Sequence, residues 1–362
     1  MRRKPITCLI KEAQVEKTTE TFAQAIPHSW SKSVTYTLRT KQRAVGYFRQ
    51  FTVITIALVA LAAAKPASAQ DIAVGEGIAL QWGQFYVADH YNTWKEQGLG
   101  TKVTTFASGR LVLDAVLGGG VLIGTAAETP VVFAALNGLP VRIIATLNRF
   151  EPFDLVGIKE IKTGKDMKGR KIGVTQGTNA HYFFSKILAS AGLSASDVIS
   201  VNLSPADFVS SLANGSIDAF VWTEPHVSQA MSMGEGKFHV VQFPNLYFGY
   251  SAVITLQNTI DKEPQILVKA LRALQSADRM IAKDANAAAD LTADRIKLDP
   301  KVAREYWPRV HFGMALTKDE IVRELESQAR WAIESKLVRP DAVMPNFQEV
   351  VVTQPFAEAQ AK

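Results

Sequence analysis

Four stretches of this chain place small polar residues where the pattern hands over from strand to helix: "ALQWGQF" from Ala79 to Phe85, "ASGR" from Ala107 to Arg110, "GTNAH" from Gly177 to His181, and "LSPAD" from Leu203 to Asp207. In an open parallel sheet, ligands bind beyond the carboxyl ends of the strands, at such loops. Gly177 lets the backbone turn closely, Thr178 or Asn179 caps the helix, and the free N–H groups of the first turn, through Ala180, face outward. An anion placed there gains hydrogen bonds and a favourable helix dipole. The dipole supplies about 0.3–2 kcal/mol, whereas micromolar binding needs about 8 kcal/mol. More than one loop is therefore required, and Ser108-Gly109 is the matching candidate. Gln81 and Trp82, with the strand ends at Thr125, Glu128, Trp222 and Glu224, complete the candidate ligand-binding set. Glu128 or Glu224 in a cleft would disfavour a second negative charge, which points to a monoanion or a zwitterion. Arg110 and Arg142 are the cations placed to meet it.

Other chemistries find little support. Neither the P-loop spacing nor G-x-G-x-x-G occurs, so no nucleotide cradle is expected. There is no G-x-S-x-G elbow and no His-Glu-x-x-His. The six histidines (His28, His90, His181, His226, His239 and His311) are scattered. The single cysteine is Cys8. The expectation is a protein with no catalytic residue, no metal and no cofactor.

The elements that must position these loops repeat. Residues 102–130 align without a gap on residues 197–225, with Val103 on Val198, Leu117 on Leu212, Gly120 on Gly215 and Pro130 on Pro225. Each copy reads strand, loop, helix, strand, loop, helix, strand, which favours a parallel sheet with right-handed crossovers. The reading is two α/β lobes: 70–157 plus 249–362 as lobe one, and 158–248 as lobe two. Ser251 to Leu256 is an apolar strand returning to the first lobe, so the chain crosses twice, near 155–160 and 244–250. Beyond residue 261 the pattern is helical, with Asp261 as a cap and further helices over 286–298, 300–306 and 317–335.

The first 69 residues read as a leader. Phe51 to Ala64 is an apolar run preceded by Arg43 and Arg49 and followed by Ala67-Ser68-Ala69, the pattern of a secretory signal cleaved after Ala69. The run is too short to span a bilayer, and Gln70-Asp71-Ile72 offers no cysteine for lipidation. The tail before the basic segment is long, which suggests a translation start near Leu38 or Val45. Of the chain's 40 Lys and Arg and 34 Asp and Glu, 11 and 3 lie in residues 1–69, which leaves 29 and 31 and a formal charge of −2 beyond them. The basic excess thus belongs to the leader, and nucleic acid is not an expected partner.

The leader, the duplicated lobes crossed twice, "DMKGRKIGV" before "GTNAHYFFSKIL", and "ANGSIDAFVWTEPH" together resemble periplasmic substrate-binding proteins of ABC transporters. The nearest branch is the nitrate, aliphatic-sulfonate, taurine and bicarbonate type, over about Ile72 to Asn346. The resemblance implies a type II two-lobed periplasmic-binding-protein-like fold, joined by a two-segment hinge. It implies a monomer that closes over a small-molecule ligand and delivers it to an inner-membrane permease driven by a cytoplasmic ATPase. It places ligand contacts at Gly177, Thr178, Asn179 and Ala180, and a Trp-x-x-Pro strand end at Trp222 and Pro225. Gln81 and Trp82 depart from the branch, leaving specificity open. A transporter branch binding a thiamine-precursor pyrimidine or an aromatic carboxylate is the alternative. Pyrimidine-precursor synthases share the architecture, but their cysteine-rich motifs are missing here.

Overall fold

The computed structural model describes residues 70–361 apart from 152 and 235. The leader, its apolar segment and cleavage position, Cys8 and His28 lie outside the described residues.

Alternating apolar strands and amphipathic helices build two sheets. The first contains β1 (Gln70–Gly77), β2 (Leu99–Phe106), β3 (Ile123–Ala127) and β4 (Val141–Phe150), joined by β10 (Gly249–Leu256) and β11 (Val310–Ala315). Its order is β11-β4-β10-β3-β1-β2. The second contains β5 (Asp154–Ile158), β6 (Lys171–Val174), β7 (Ile199–Asn202), β8 (Ala219–Trp222) and β9 (Phe238–Val241), in the order β7-β6-β8-β5-β9. In each, the three strands of the repeat pair in parallel around the first, and one antiparallel strand follows: β10 beside β3, β5 beside β8. The gapless repeat therefore falls on equivalent positions of two sheets of the same topology.

The crossovers are α1 (Gly83–His90), α2 (Thr93–Glu96), α3 (Gly109–Leu117) and α4 (Glu128–Leu136) in lobe one. Lobe two has α5 (Asn179–Ser190), α6 (Phe208–Ala213) and α7 (His226–Gly234). After β10 come α8 (Gln257–Lys262), α9 (Pro264–Lys283), α10 (Ala285–Ile296), α11 (Pro300–Tyr306), α12 (Lys318–Glu334), α13 (Phe347–Val350) and α14 (Gln354–Gln360). Along α9, Ile266, Leu267, Ala270, Leu271, Leu274, Ala277 and Ile281 are buried, the one-sided stripe that a surface helix uses to pack on a core. It lies against α1 and α14 and braces the first sheet.

Three local expectations shift. The segment expected to cross between lobes at 155–160 falls largely within β5, which already pairs with β8 and β9. The first crossing lies between Phe150 and Asp154, because "DLVGI" is apolar enough to fill a buried inner strand. Asp261 sits inside α8, where its carboxylate accepts from Gln257 Nε2 at 2.8 Å, and the long helix begins at Pro264 instead. Finally, β11 adds an edge strand on β4 that the helical pattern concealed.

Candidate ligand site

Two helix N-termini, one from each lobe, line the same small cavity. Ser108, extended at φ −157°, caps α3, its Oγ accepting from Leu111 N at 3.4 Å. Thr178, extended at φ −107°, caps α5, its Oγ1 accepting from His181 N at 3.4 Å and its hydroxyl donating to Thr175 O at 2.7 Å. Helix geometry leaves the first-turn amides, Gly109 and Arg110 on one side and Asn179 and Ala180 on the other, without intrahelical acceptors. Each end carries about half a positive charge.

Close approach at α3 depends on glycine. A Cβ on Gly109 would lie 3.1 Å from Ala126 Cα, 3.1 Å from the Trp82 ring and 3.3 Å from Thr125 O. Gly177 takes φ +73°, and a Cβ there would come within 2.7 Å of Arg110 Nη1. The turn holding Gln81 and Trp82 is fixed from both sides. The Tyr86 hydroxyl donates to Gly77 O and accepts from Ala79 N, while Asn148 Nδ2 donates to Gln81 O at 2.7 Å.

The cavity is lined from lobe one by Ile78, Ala79, Gln81, Trp82, Ser108, Gly109, Arg110, Ala127 and Pro130. Thr178, Asn179, Trp222 and Thr223 line it from lobe two, with Phe153 of the first crossing. Its internal volume is about 30 Å³, room for roughly two waters. Trp222 stands in an aromatic wall with Phe153 at 6.3 Å and Phe208 at 5.7 Å between ring centroids. Three lining side chains carry buried polar atoms without a partner in the chain: Gln81 Oε1, Asn179 Nδ2 and Trp222 Nε1. Buried polar groups are ordinarily hydrogen-bonded, so three such atoms around one cavity make it the candidate ligand site.

Of the twelve residues singled out from sequence, Gln81, Trp82, Ser108, Gly109, Thr178, Asn179 and Trp222 line this cavity. The other five do not. Thr125 is fully buried and accepts from Gly77 N at 3.1 Å through Oγ1. Gly177 and Ala180 shape the turn and first helical residues behind the lining. Glu128 is turned into a buried network, accepting from the Tyr247 hydroxyl, from Gln328 Nε2 at 2.9 Å and from Tyr250 N at 2.9 Å. Burial, reinforced by Glu324, raises its carboxyl to about 7 despite those donors. Glu224 caps α7, accepting from Ser228 N at 3.0 Å and Ser228 Oγ at 2.9 Å, and burial raises its carboxyl too.

Arg110 does line the cavity, but its Nη1 donates to Gln176 O at 2.8 Å, tying α3 to the lobe-two loop. Arg142 lies elsewhere, on Gln257 Oε1 and Val141 O. His181, pushed down to about 4 by burial, is neutral and accepts from Gly177 N at 3.4 Å. Its ring meets Trp331 of α12 edge-on at 5.2 Å, and Tyr182 meets the same indole at 5.0 Å. The set read from sequence did not include Ile78, Ala79, Ala127, Pro130, Phe153 or Thr223; all but Phe153 lie within three residues of one that it did include.

The family profile described as NMT1/THI5 like matches residues 80–288, more than half of the chain. This chain belongs to that family. A Brucella abortus protein named as a binding protein is 26% identical to the NMT1/THI5-like chain over 282 residues, covering 76% of this chain and 86% of the relative. The taurine-binding periplasmic protein of Escherichia coli is 29% identical over 139 residues, 38% of this chain and 43% of its own. Among solved structures, the alkanesulfonate-binding protein SsuA of Xanthomonas axonopodis pv. citri, bound to MOPS, superposes with a TM-score of 0.68 at 19% identity, covering 80% of this chain and 100% of that one. The NMT1/THI5-like chain has the two-lobed periplasmic-binding-protein fold expected from its sequence.

Proposed function

We propose that this chain is an extracytoplasmic solute-binding protein. It closes two lobes over one small anionic or zwitterionic solute, of the sulfonate, taurine, nitrate or bicarbonate kind. It then delivers that solute to an ABC permease of the inner membrane, itself driven by a cytoplasmic ATPase. The supporting observation is the pair of helix N-termini, from opposite lobes, lining one cavity together with the unpaired donors Asn179 Nδ2 and Trp222 Nε1. The family membership and the names of its relatives agree with this reading. The protein acts in the periplasm as an unlipidated monomer, after removal of the leader, and turns nothing over.

The lining holds no general base and no nucleophile with an adjacent base, so binding rather than reaction is what it does well. The small volume favours a compact polar head over a pyrimidine or an aromatic carboxylate. A thermal-shift screen against alkanesulfonates, taurine, nitrate, bicarbonate, aromatic carboxylates and aminopyrimidines tests the proposal. Ligand at a hundredfold over its Kd adds about 2.7 kcal/mol of stability, a readily measured rise in Tm. Turnover of a hit overturns the reading, and Thr178→Ala with undiminished affinity removes the helix-terminus clamp.

A further inference from the structure

The three unpaired atoms are not alike. Asn179 Nδ2 and Trp222 Nε1 donate, as do the free amides of the two helix ends, whereas Gln81 Oε1 can only accept. Gln81 is 4% exposed and its main chain is pinned by Asn148, so its side chain is held beside the cavity rather than in solvent. A buried acceptor left unpaired costs about 1–3 kcal/mol. An anion with acceptors alone, such as nitrate or an alkanesulfonate, satisfies the donors and leaves this oxygen unpaired. The matching ligand carries a donor of its own.

That donor is uncharged. An ammonium brings three N–H groups and a full positive charge, yet no Asp or Glu lines the cavity and the one charged side chain there is Arg110. The nearest carboxylates in sequence, Glu128 and Glu224, are committed to Gln328, Tyr247 and Tyr250 and to Ser228. A hydroxyl, or the protonated oxygen of an acid anion, gives one donor to one acceptor and needs no counter-charge. We infer that the solute is a compact monoanion bearing a neutral O–H, and that Gln81 is the residue that selects for it. This rests on the solute-binding reading above.

Two matched series test it by calorimetry on the purified protein. Ethanesulfonate, 2-hydroxyethanesulfonate and 2-aminoethanesulfonate share a head group and differ in the terminal methyl, hydroxyl or ammonium. Nitrate and bicarbonate are planar monoanions differing by one O–H. The hydroxyl compound of whichever series binds should be tighter than its acceptor-only partner by about tenfold, with the ammonium compound weakest. Gln81→Met should bring the hydroxyl and methyl compounds within about twofold of each other by removing the acceptor. Equal or tighter binding of the acceptor-only anion overturns the inference and leaves the solute-binding reading standing. Discrimination surviving in Gln81→Met also overturns it. Should that variant not fold, the ranking on the unaltered protein decides alone. Binding of no member of either series overturns both readings together.

Discussion

The two helix N-termini that line the cleft share a backbone arrangement and differ in what they bring to it. On α3, a serine cap is followed by Gly109, packed against Ala126 and Trp82, and by Arg110, which reaches across to Gln176 O. On α5, a threonine cap is followed by Asn179, whose side-chain amide is buried and unpaired, near the equally unpaired indole of Trp222. Lobe one thus supplies shape and a tie to its partner, while lobe two supplies side-chain donors. The two ends are not repeat mates, since Ser108 aligns on Leu203 and α3 on the segment leading into α6, so two different positions of the duplicated unit have arrived at similar helix-end geometry with a different residue after the cap.

Substitutions at those residues should separate the roles. Gly109→Val should have the largest effect: two of its close neighbours are backbone atoms that cannot give way, so about 1–3 kcal/mol of stability and measurable ligand affinity should both be lost. Urea midpoints and the ligand-induced shift in Tm check this. Asn179→Ala should split the two quantities. Removing an unpaired buried group should leave the ligand-free protein as stable or about 0.5–1 kcal/mol more so, while affinity falls about tenfold. Arg110→Met should be milder, with an affinity loss of about two- to fivefold, and unchanged affinity would show that the tie to Gln176 plays no part in holding the lobes together.

The smallest effects concern pH, and they have opposite signs in the two lobes. Glu128, raised to about 7 from 4.5, keeps its proton in the folded state where the unfolded chain has released it, so its contribution to stability falls as pH rises through that window. His181, lowered to about 4 from 6.5, stays neutral where the unfolded imidazole takes a proton, so its contribution falls as pH drops through that window. Glu128→Gln should flatten a fall in unfolding free energy between about pH 4.5 and 7, and His181→Asn an opposing rise between about pH 4 and 6.5. A single variant that flattened both would break the assignment.

Local pattern made much of this legible. The helix caps at Ser108 and Thr178, the returning strand β10 and the repeat itself are written in spacings of a few residues. What failed to show were pairings between distant parts of the chain. Glu128 looked like a cleft carboxylate because Tyr247, Tyr250 and Gln328, which claim it, lie 119, 122 and 200 residues away. Arg110 looked like a free cation for the same reason, its acceptor being 66 residues distant. Trp331 bridges Phe133 of lobe one to His181 and Tyr182 of lobe two, and nothing in the periodicity of α12 announces it.

The engagement of Arg110 has a consequence for the conditions under which such a site works. A cleft that held its anion by a free guanidinium at the surface would lose affinity as ionic strength rose, because exposed charges are screened over about 8–10 Å in ordinary salt. Here one guanidinium N–H of Arg110 is engaged by a backbone carbonyl, and the donors of the proposed site are neutral amides and an indole buried away from the surface. If the proposed site is held mainly by these neutral donors, its affinity should vary less with ionic strength than that of a site built on exposed cations, and anions of matching shape should be the main competitors.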